Sequence, residues 1–341
     1  MSKQINPYLD FVLGLDATQF DLLCDSINQR KDRERYGATS FEEAALNYGR
    51  KPICPKCLSD KYHEDGYTPS LAKRYKCENC ECSYTLLSDS ILNSSKISFH
   101  KLMCYIQLMS FNVPLELICE VLDIASNTAE LWRKKIFSTV NNYQNHLRLY
   151  NRVWIDETYI EDYQVLESDN YEKHPRGLSK TKICIVVAID SSKNMLAIIC
   201  GHGKPSSKRV YAALKDHIRP GSRIIHDGDN SHKYLIDALS LKSEVYIANT
   251  KDSEYIKNMA MINNMCSWLK RYIWRFIGME VENLQSYSNW FIYLQRCKER
   301  NTQIILCSSV THNKKTPVLP YYCNQIMLCI IFSSYTYLVN I

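Results

Sequence analysis

Two short knuckles constrain this chain more than any other feature: CPKC at 54–57 and CENC at 77–80, with 19 residues between them. The spacing Cys-x2-Cys-x19-Cys-x2-Cys falls in the range of a structural zinc site, where each tight turn supplies two thiolates and four make a closed tetrahedron. Cys54, Cys57, Cys77 and Cys80 are therefore the expected Zn2+ ligands. Cys82 is a spare thiol that competes with Cys80, and His63, between the pairs, is expected to face solvent. A segment this small buries too little apolar surface to fold alone, so the metal contributes its folding free energy.

Metal ligation also fits the cysteine usage. The chain has 15 cysteines, but its start, MSKQINPYLDFVLGLDATQF, lacks the basic opening and long apolar run of a secretion signal. A reducing, cytoplasmic setting is expected, with cysteines as ligands or buried thiols. At 341 residues, 45% hydrophobic and 23% charged, the chain has the balance of a globular protein with more than one domain. Its net charge of +6 is compatible with nucleic acid without requiring it.

Organisation follows from texture. Residues 1–50 read as a helical N-terminal segment and 51–90 as the zinc ribbon. Residues 91–145 are helical by pattern and end in a basic run. From Asn151 the chain turns to short β-branched and aromatic runs: RVWIDETYI, KICIVVAID and MLAIICGHG, the last two joined by the short turn SSKNM. SSKRVYAALKDHI spaces Val210, Leu214 and Ile218 for one helical face and stops before Pro220-Gly221. SRIIHDGD is a fourth strand. One helix then runs to Gly278, and another, from about Asn283 to Arg300, gathers Leu284, Tyr287, Trp290, Phe291 and Leu294 on one side. The order β-β-β-α-β-(α)-α is an α/β layout with an antiparallel part. No internal repeat or low-complexity segment interrupts it.

VPLELICEVLDIASNTAELWRKKIF, 113–137, splits at Asp123–Ser126 into two helices. Leu117, Ile118, Val121 and Leu122 give the first an apolar face. Ser126 reads as the N-cap of the second, with Ala129, Trp132 and Ile136 inward. Asn127, Thr128, Arg133, Lys134 and Lys135 are left to face out. A helix-turn-helix reader of DNA needs such a pair, its second helix in the major groove and basic residues on phosphates. Any two-helix hairpin in a core has the same pattern. Its place beside a zinc ribbon is what favours DNA.

Asp156, in VWIDETYI, and Asp227, after SRIIH, are carboxylates amid or just after apolar strand residues. A charge there is costly to desolvate without a partner, and two such groups could share divalent cations for phosphoryl transfer. Each alone also reads as a turn residue. Glu157, Asp190 and Asp229 are rival positions. The helix INNMCSWLKR at 262–271 has two asparagines, Asn263 and Asn264, where a metal site would want an acid. At 100° per residue Asn264, Ser267, Trp268 and Arg271 share one face, and Lys270 lies about 120° from Asn264. Those residues alone read as a polar surface face.

WIDETYI, RGLSKTKICIVVAID, HDG and NNMCSWLKRYIWRFIG with the later NWF, taken in order, resemble the DDE transposases of bacterial insertion sequences, specifically the ISXO2-like group with an N-terminal zinc ribbon. The likeness runs over roughly residues 50–298. It implies a ribonuclease-H-like catalytic domain at 150–298, Mg2+ or Mn2+ without a small-molecule cofactor, and cut-and-join chemistry at transposon ends. It implies a catalytic set of Asp156, Asp227, Asn264 and Lys270, with Asp156, Asp227 and Asn264 on the metal. Partners would be double-stranded DNA, both terminal repeats and target, and further copies of the chain in a synaptic homo-oligomer. Arg176, Lys180, Lys182, Lys270 and Arg271 are candidates for the DNA backbone. A helix-turn-helix-like segment at 91–145 would join the ribbon in end binding.

The chain departs from that pattern at Cys266-Ser267, where some relatives have His-Ser, and after about Lys298. Residues 299–341 are atypical, and 316–341 carry no charge. A frameshifted or rearranged tail is expected there rather than a membrane helix, because Pro317, Pro320, Asn324 and Gln325 interrupt the apolar run. Three readings stay open: a transposase, a catalytically decayed transposase acting only as a DNA-binding protein, and a metal-dependent nuclease without strand transfer.

Overall fold

A computed structural model describes residues 7–47, 49–162, 182–249, 251–276 and 279–300. Arg176, Lys180 and the tail 301–341 lie outside the described residues. Contacts divide the described chain into two compact units, one ending at Leu108 and the other spanning Met109–Arg300. The second unit thus takes in 109–145 as well as 150–298.

In the first unit, helices α1 (Pro7–Leu13), α2 (Ala17–Tyr36) and α3 (Phe41–Asn47) precede a three-stranded antiparallel sheet, β1 (Tyr62–Tyr67), β2 (Lys73–Cys77) and β3 (Ser83–Thr85). Helix α4 (Phe99–Ser110) follows. Asp16 starts α2 through a capping box. Its carboxylate accepts from the Gln19 N–H at 2.8 Å, while the Gln19 side chain accepts from the Asp16 N–H at 3.1 Å. Gly37 ends the helix at φ 67°, a conformation that favours glycine. Tyr36 and Phe41 both pack edge-on against Phe99, forming the buried centre of the helical part.

The second unit begins with α5 (Leu115–Leu122) and α6 (Ser126–Val140), joined by a three-residue turn with Asp123 at φ 48°. The main sheet is built from β4 (Arg152–Ile160), β5 (Ile183–Asp190), β6 (Met195–His202), β7 (Arg223–His226) and β8 (Lys242–Val245), in the order β6-β5-β4-β7-β8. β4, β5 and β6 pair antiparallel, whereas β4–β7 and β7–β8 are parallel. β5, ICIVVAID, is buried at all eight positions. That is what a central strand covered on both faces requires, and it explains the unbroken apolar run.

Helices α7 (Ser207–Leu214), α8 (Lys233–Ala238), α9 (Ser253–Ile273) and α10 (Leu284–Arg300) complete the unit. On one sheet face Val153, Ile155, Cys184, Val186 and Ala188 pack with Val210, Leu214 and Leu235 of α7 and α8. Alternation puts Trp154, Asp156 and Thr158 on the other face. There the Trp154 indole Nε1–H donates to the Asn258 carbonyl at 2.7 Å and docks α9 on β4.

Three elements depart from expectation. β8 and the short α8 were not legible, because KSEV is four mostly exposed residues at a sheet edge with no apolar alternation. The α6 helix begins at Ser126 after an Ala125 N-cap that makes no side-chain bond, so Ser126 is the first helical residue and not the cap.

Candidate metal centres and nucleic-acid interface

The four expected cysteines come together. Cys54 Sγ lies 3.5 Å from Cys80 Sγ, and Cys57 Sγ lies 3.5 Å from Cys77 Sγ. The four thiols form a group whose ligand atoms are all within 4.8 Å of one another. A zinc tetrahedron with bonds of about 2.3 Å has sulfur–sulfur edges of about 3.8 Å, so the donor set fits Zn2+. Both knuckles are built alike: the residue after each second cysteine, Leu58 at φ 62° and Glu81 at φ 56°, turns left-handed and returns its N–H to the first cysteine's carbonyl. Burial raises the Cys54 thiol, but the N–H groups of Cys57 and Lys56 outweigh it and draw the pKa down to about 6. Cys82 stays outside the group, bonding the Ser83 carbonyl, and His63 is exposed as expected.

Strand register assembles the second site. β4 and β7 pair from Arg152–Arg223 to Trp154–Ile225. The pairing stops there, and Asp227 follows the last residue of β7, close enough to Asp156 for its charge to act on that carboxyl and within 4.8 Å of ring nitrogens of His226 and His232. Burial pushes Asp156 up to about 7. The Glu157 N–H bond and His232 oppose that rise, and the charges of Glu157 and Asp227 add to it. The acids here outnumber the one imidazole, His232, that acts on Asp156, an environment that a hard divalent cation fits.

Three carboxylates that rivalled these in the sequence have other work. Asp190, fully buried, accepts from the Ser192 and Asn194 N–H groups and from the Asn194 side chain, all at 2.9 Å, and so organises the β5–β6 turn. Asp229 caps a 3-10 turn through the Ser231 N–H and pairs with Lys204. Glu157 points to the opposite sheet face, where it accepts from Ser231 Oγ at 2.9 Å and from His232 Nε2 at 3.2 Å.

A chain of bonds continues from Glu157. His232 Nδ1 lies 2.9 Å from His226 Nδ1, and His226 Nε2 lies 2.9 Å from Ser243 Oγ. The Gly228 N–H also donates to His226 Nδ1, at 3.2 Å. This network assigns His226 as neutral, accepting at Nδ1, and His232 as protonated on both nitrogens. Burial and the charge of His232 pull His226 down to about 4. Burial opposes charge on His232, but the Glu157 bond and charge outweigh it and raise the imidazole. Nothing in the sequence flagged these histidines, because their partnership with Glu157 crosses from one strand to another.

The third arm expected from α9 falls on an open face of that helix. Asn264 is exposed, as are Ser267, Trp268 and Arg271, so the polar surface face read from helical spacing is what forms. The inward residues of α9 include Met259, Ile262, Cys266 and Leu269. Asn264 lies about 160° around the helix from Cys266, too far to turn toward the sheet. Asn263 is half-buried and shares a stripe with Cys266 and Lys270 at i, i+3 and i+7. Cys266 is within electrostatic reach of Asp156 and Lys270. Burial, then Asp156, push its thiol up. Lys270 is exposed at the rim of a cavity of about 210 Å³ that Tyr159, Ile160 and Ile273 help to line.

The expected DNA-reading face is also corrected in part. Asn127, Thr128 and Lys134 of α6 are exposed. Arg133 is buried, at 7% exposure, because α6 packs against α10. Its guanidinium lies over the Phe276 ring at 5.4 Å and donates to Tyr287 Oη at 3.4 Å. Lys135 stacks on Trp132, and Lys134 pairs with Glu130 at 2.6 Å. Ala129, Trp132 and Ile136 are buried as expected, whereas Leu117 and Val121 of α5 are exposed. Lys182 pairs with Glu161 at 2.7 Å. No described helix is long and apolar enough to cross a membrane.

No curated protein matches the chain. Among solved structures, one with partial likeness is described as "CryoEM structure of simian T-cell lymphotropic virus intasome in complex with PP2A regulatory subunit B56 gamma", at 13% identity and a TM-score of 0.27. The match covers 42% of this chain and 49% of that one, so this chain spans about half of that relative's length. Residues 148–294, from just ahead of β4 to well inside α10, match the family model of the ISXO2-like transposase domain. Those residues form an ISXO2-like transposase domain within the chain.

Proposed function

We propose that this chain is a DNA transposase that hydrolyses a phosphodiester at an insertion-sequence end and joins the freed 3′-OH to target DNA. The observation that carries the reading is the buried Asp156 carboxyl, on which the nearby charges of Asp227 and Glu157 act. The mixed sheet, antiparallel over β6-β5-β4 and parallel beyond, supports a ribonuclease-H-like domain across 150–298. Asp156 and Asp227 hold Mg2+ or Mn2+. The cation supplies charge that polarises the phosphodiester and acidifies the attacking hydroxyl.

The carbonyl of Asn263 completes the ligand set from α9, the place the resemblance gave to Asn264. Lys270, on the same stripe, reaches a DNA phosphate through its long stem. Asn264 and Arg271, on the outer face, are left to meet DNA. The zinc ribbon of 51–90 and the exposed side of α6, with Asn127, Thr128 and Lys134, bind the terminal repeats. Two or more copies assemble on paired ends.

A catalytically decayed copy that only binds DNA is the second reading. It is favoured by the lack of a carboxylate on the inward stripe of α9, where Asn263, Cys266 and Lys270 stand. A strand-transfer assay with terminal-repeat DNA and Mg2+ or Mn2+ separates the readings. Joined products establish a transposase, nicks alone a nuclease, and a shifted, uncut band a binder. Asp156→Asn should abolish cleavage and leave end binding intact; cleavage that survives it would remove Asp156 from the metal site.

A further inference from the structure

Backbone pairing between β4 and β7 stops at Trp154–Ile225, short of both aspartates. On the outer sides pairing continues: β5 holds β4 as far as Ile160, and β8 holds β7 through His226. The seam between the two carboxylate-bearing ends is therefore free of registered backbone pairs. What crosses it is a buried chain of side chains. Glu157 comes from β4. It bonds Ser231 and His232 in the turn after β7, and His232 bonds His226, the last residue of β7. His226 is then fixed to β8 by Ser243. His232 is 0% exposed, His226 4% and the Glu157 side chain 7%.

We propose that the Glu157–His232–His226 chain is a tie that sets the spacing of Asp156 and Asp227, making Glu157 and His232 positioning residues of the metal site. The tie lies on the α7–α8 face of the sheet, and a carboxylate oxygen of Asp227 comes within 4.8 Å of a ring nitrogen of both His226 and His232. Glu157 and Asp156 are adjacent on β4, and His226 and Asp227 are adjacent after the last backbone pair. Holding His232 to Glu157 therefore holds Asp227, which both rings approach, against Asp156, the neighbour of Glu157 on β4. A buried ion pair is weak support for stability, since apolar replacements of similar volume are often neutral or better. Its retention beside two ligands is accounted for by geometry: outer partners that orient ligands set metal affinity.

The inference rests on the proposed metal site and is tested apart from catalysis. Mn2+ binding to the zinc-loaded full chain is read by electron paramagnetic resonance, with melting temperature measured on the same samples. Glu157→Ala and His232→Ala should each weaken Mn2+ binding roughly 10- to 100-fold. Glu157→Gln keeps an oxygen for both donors and should recover most of the loss. The double variant Glu157→Leu/His232→Leu leaves no unpaired charge, so it carries the test if the alanine variants fail to fold. It should melt near the parent yet still lose affinity. A folded variant lacking the tie that binds Mn2+ as tightly as the parent overturns the inference, while loss of binding in Asp156→Asn would leave the metal site itself standing. If Asp156→Asn and Asp227→Asn also bind normally, the metal site is wrong and the tie has nothing to position.

Discussion

Asp156 shows how one residue's surroundings decide its chemistry. Its carboxyl titrates near 7 in the folded chain because burial and two neighbouring acids disfavour its charge. Unfolded, it returns to the ordinary range near 4. Between those values the unfolded chain has released the proton and the folded chain keeps it. This group therefore makes the metal-free protein less stable as pH rises from about 4 to about 7, and adds no further slope above that. A cation must displace the same proton, so Mn2+ affinity should fall about tenfold per pH unit below 7. Titrations at three pH values check this, and a flat affinity from pH 5 to 7 would exclude Asp156 as a ligand. Arg133 makes a different point. Its guanidinium is enclosed by Phe276 and Tyr287, so Arg133→Ala should cost about 1–3 kcal/mol of stability, read from denaturant melts. Asn127→Ala and Thr128→Ala, both on the open side of α6, should instead weaken DNA binding and leave the melts unchanged.

At the scale of elements, α9 and α6 explain most of what sequence reasoning reached and missed. Periodicity placed both helices and their apolar stripes: Ala129, Trp132 and Ile136 of α6 are buried, and so are all five inward residues expected for α10. It could not say which flank of α6 meets α10, and so it set Arg133 outside. On α9, spacing alone put Asn264 with Ser267, Trp268 and Arg271 on a polar face, and that face is exposed. The motif likeness gave a ligand role to Asn264 on that same face, and one residue along the helix turns a side chain by 100°. The zinc knuckles were legible because both turns are local and tight, so spacing nearly specifies geometry. β8 was not, since a short polar edge strand exists only because β7 offers a free edge.

For the whole molecule, net charge and interface composition bear on partners more than on fold. With a charge of +6, binding to DNA should weaken steeply with salt, the logarithm of the constant falling by about 0.9 per phosphate neutralised. Fluorescence anisotropy at several ionic strengths gives that slope. Arg271→Ala should make it shallower by about one; an unchanged slope would mean that Arg271 touches no phosphate.

Residue types and spacing were enough, by themselves, to determine the cysteine cluster, the α/β order of the second unit and the two aspartates within or just after apolar strands, because each is a local property of the chain. Tertiary structure alone decided that Asp227 comes within reach of Asp156, that Asn263 is half-buried while Asn264 is exposed, and that Glu157 bonds His232 from one strand to the turn after another. Each of those facts depends on which strand pairs with which and how a helix is rotated about its axis. Both are settled by burying two faces of one sheet at once, a constraint that no single segment contains.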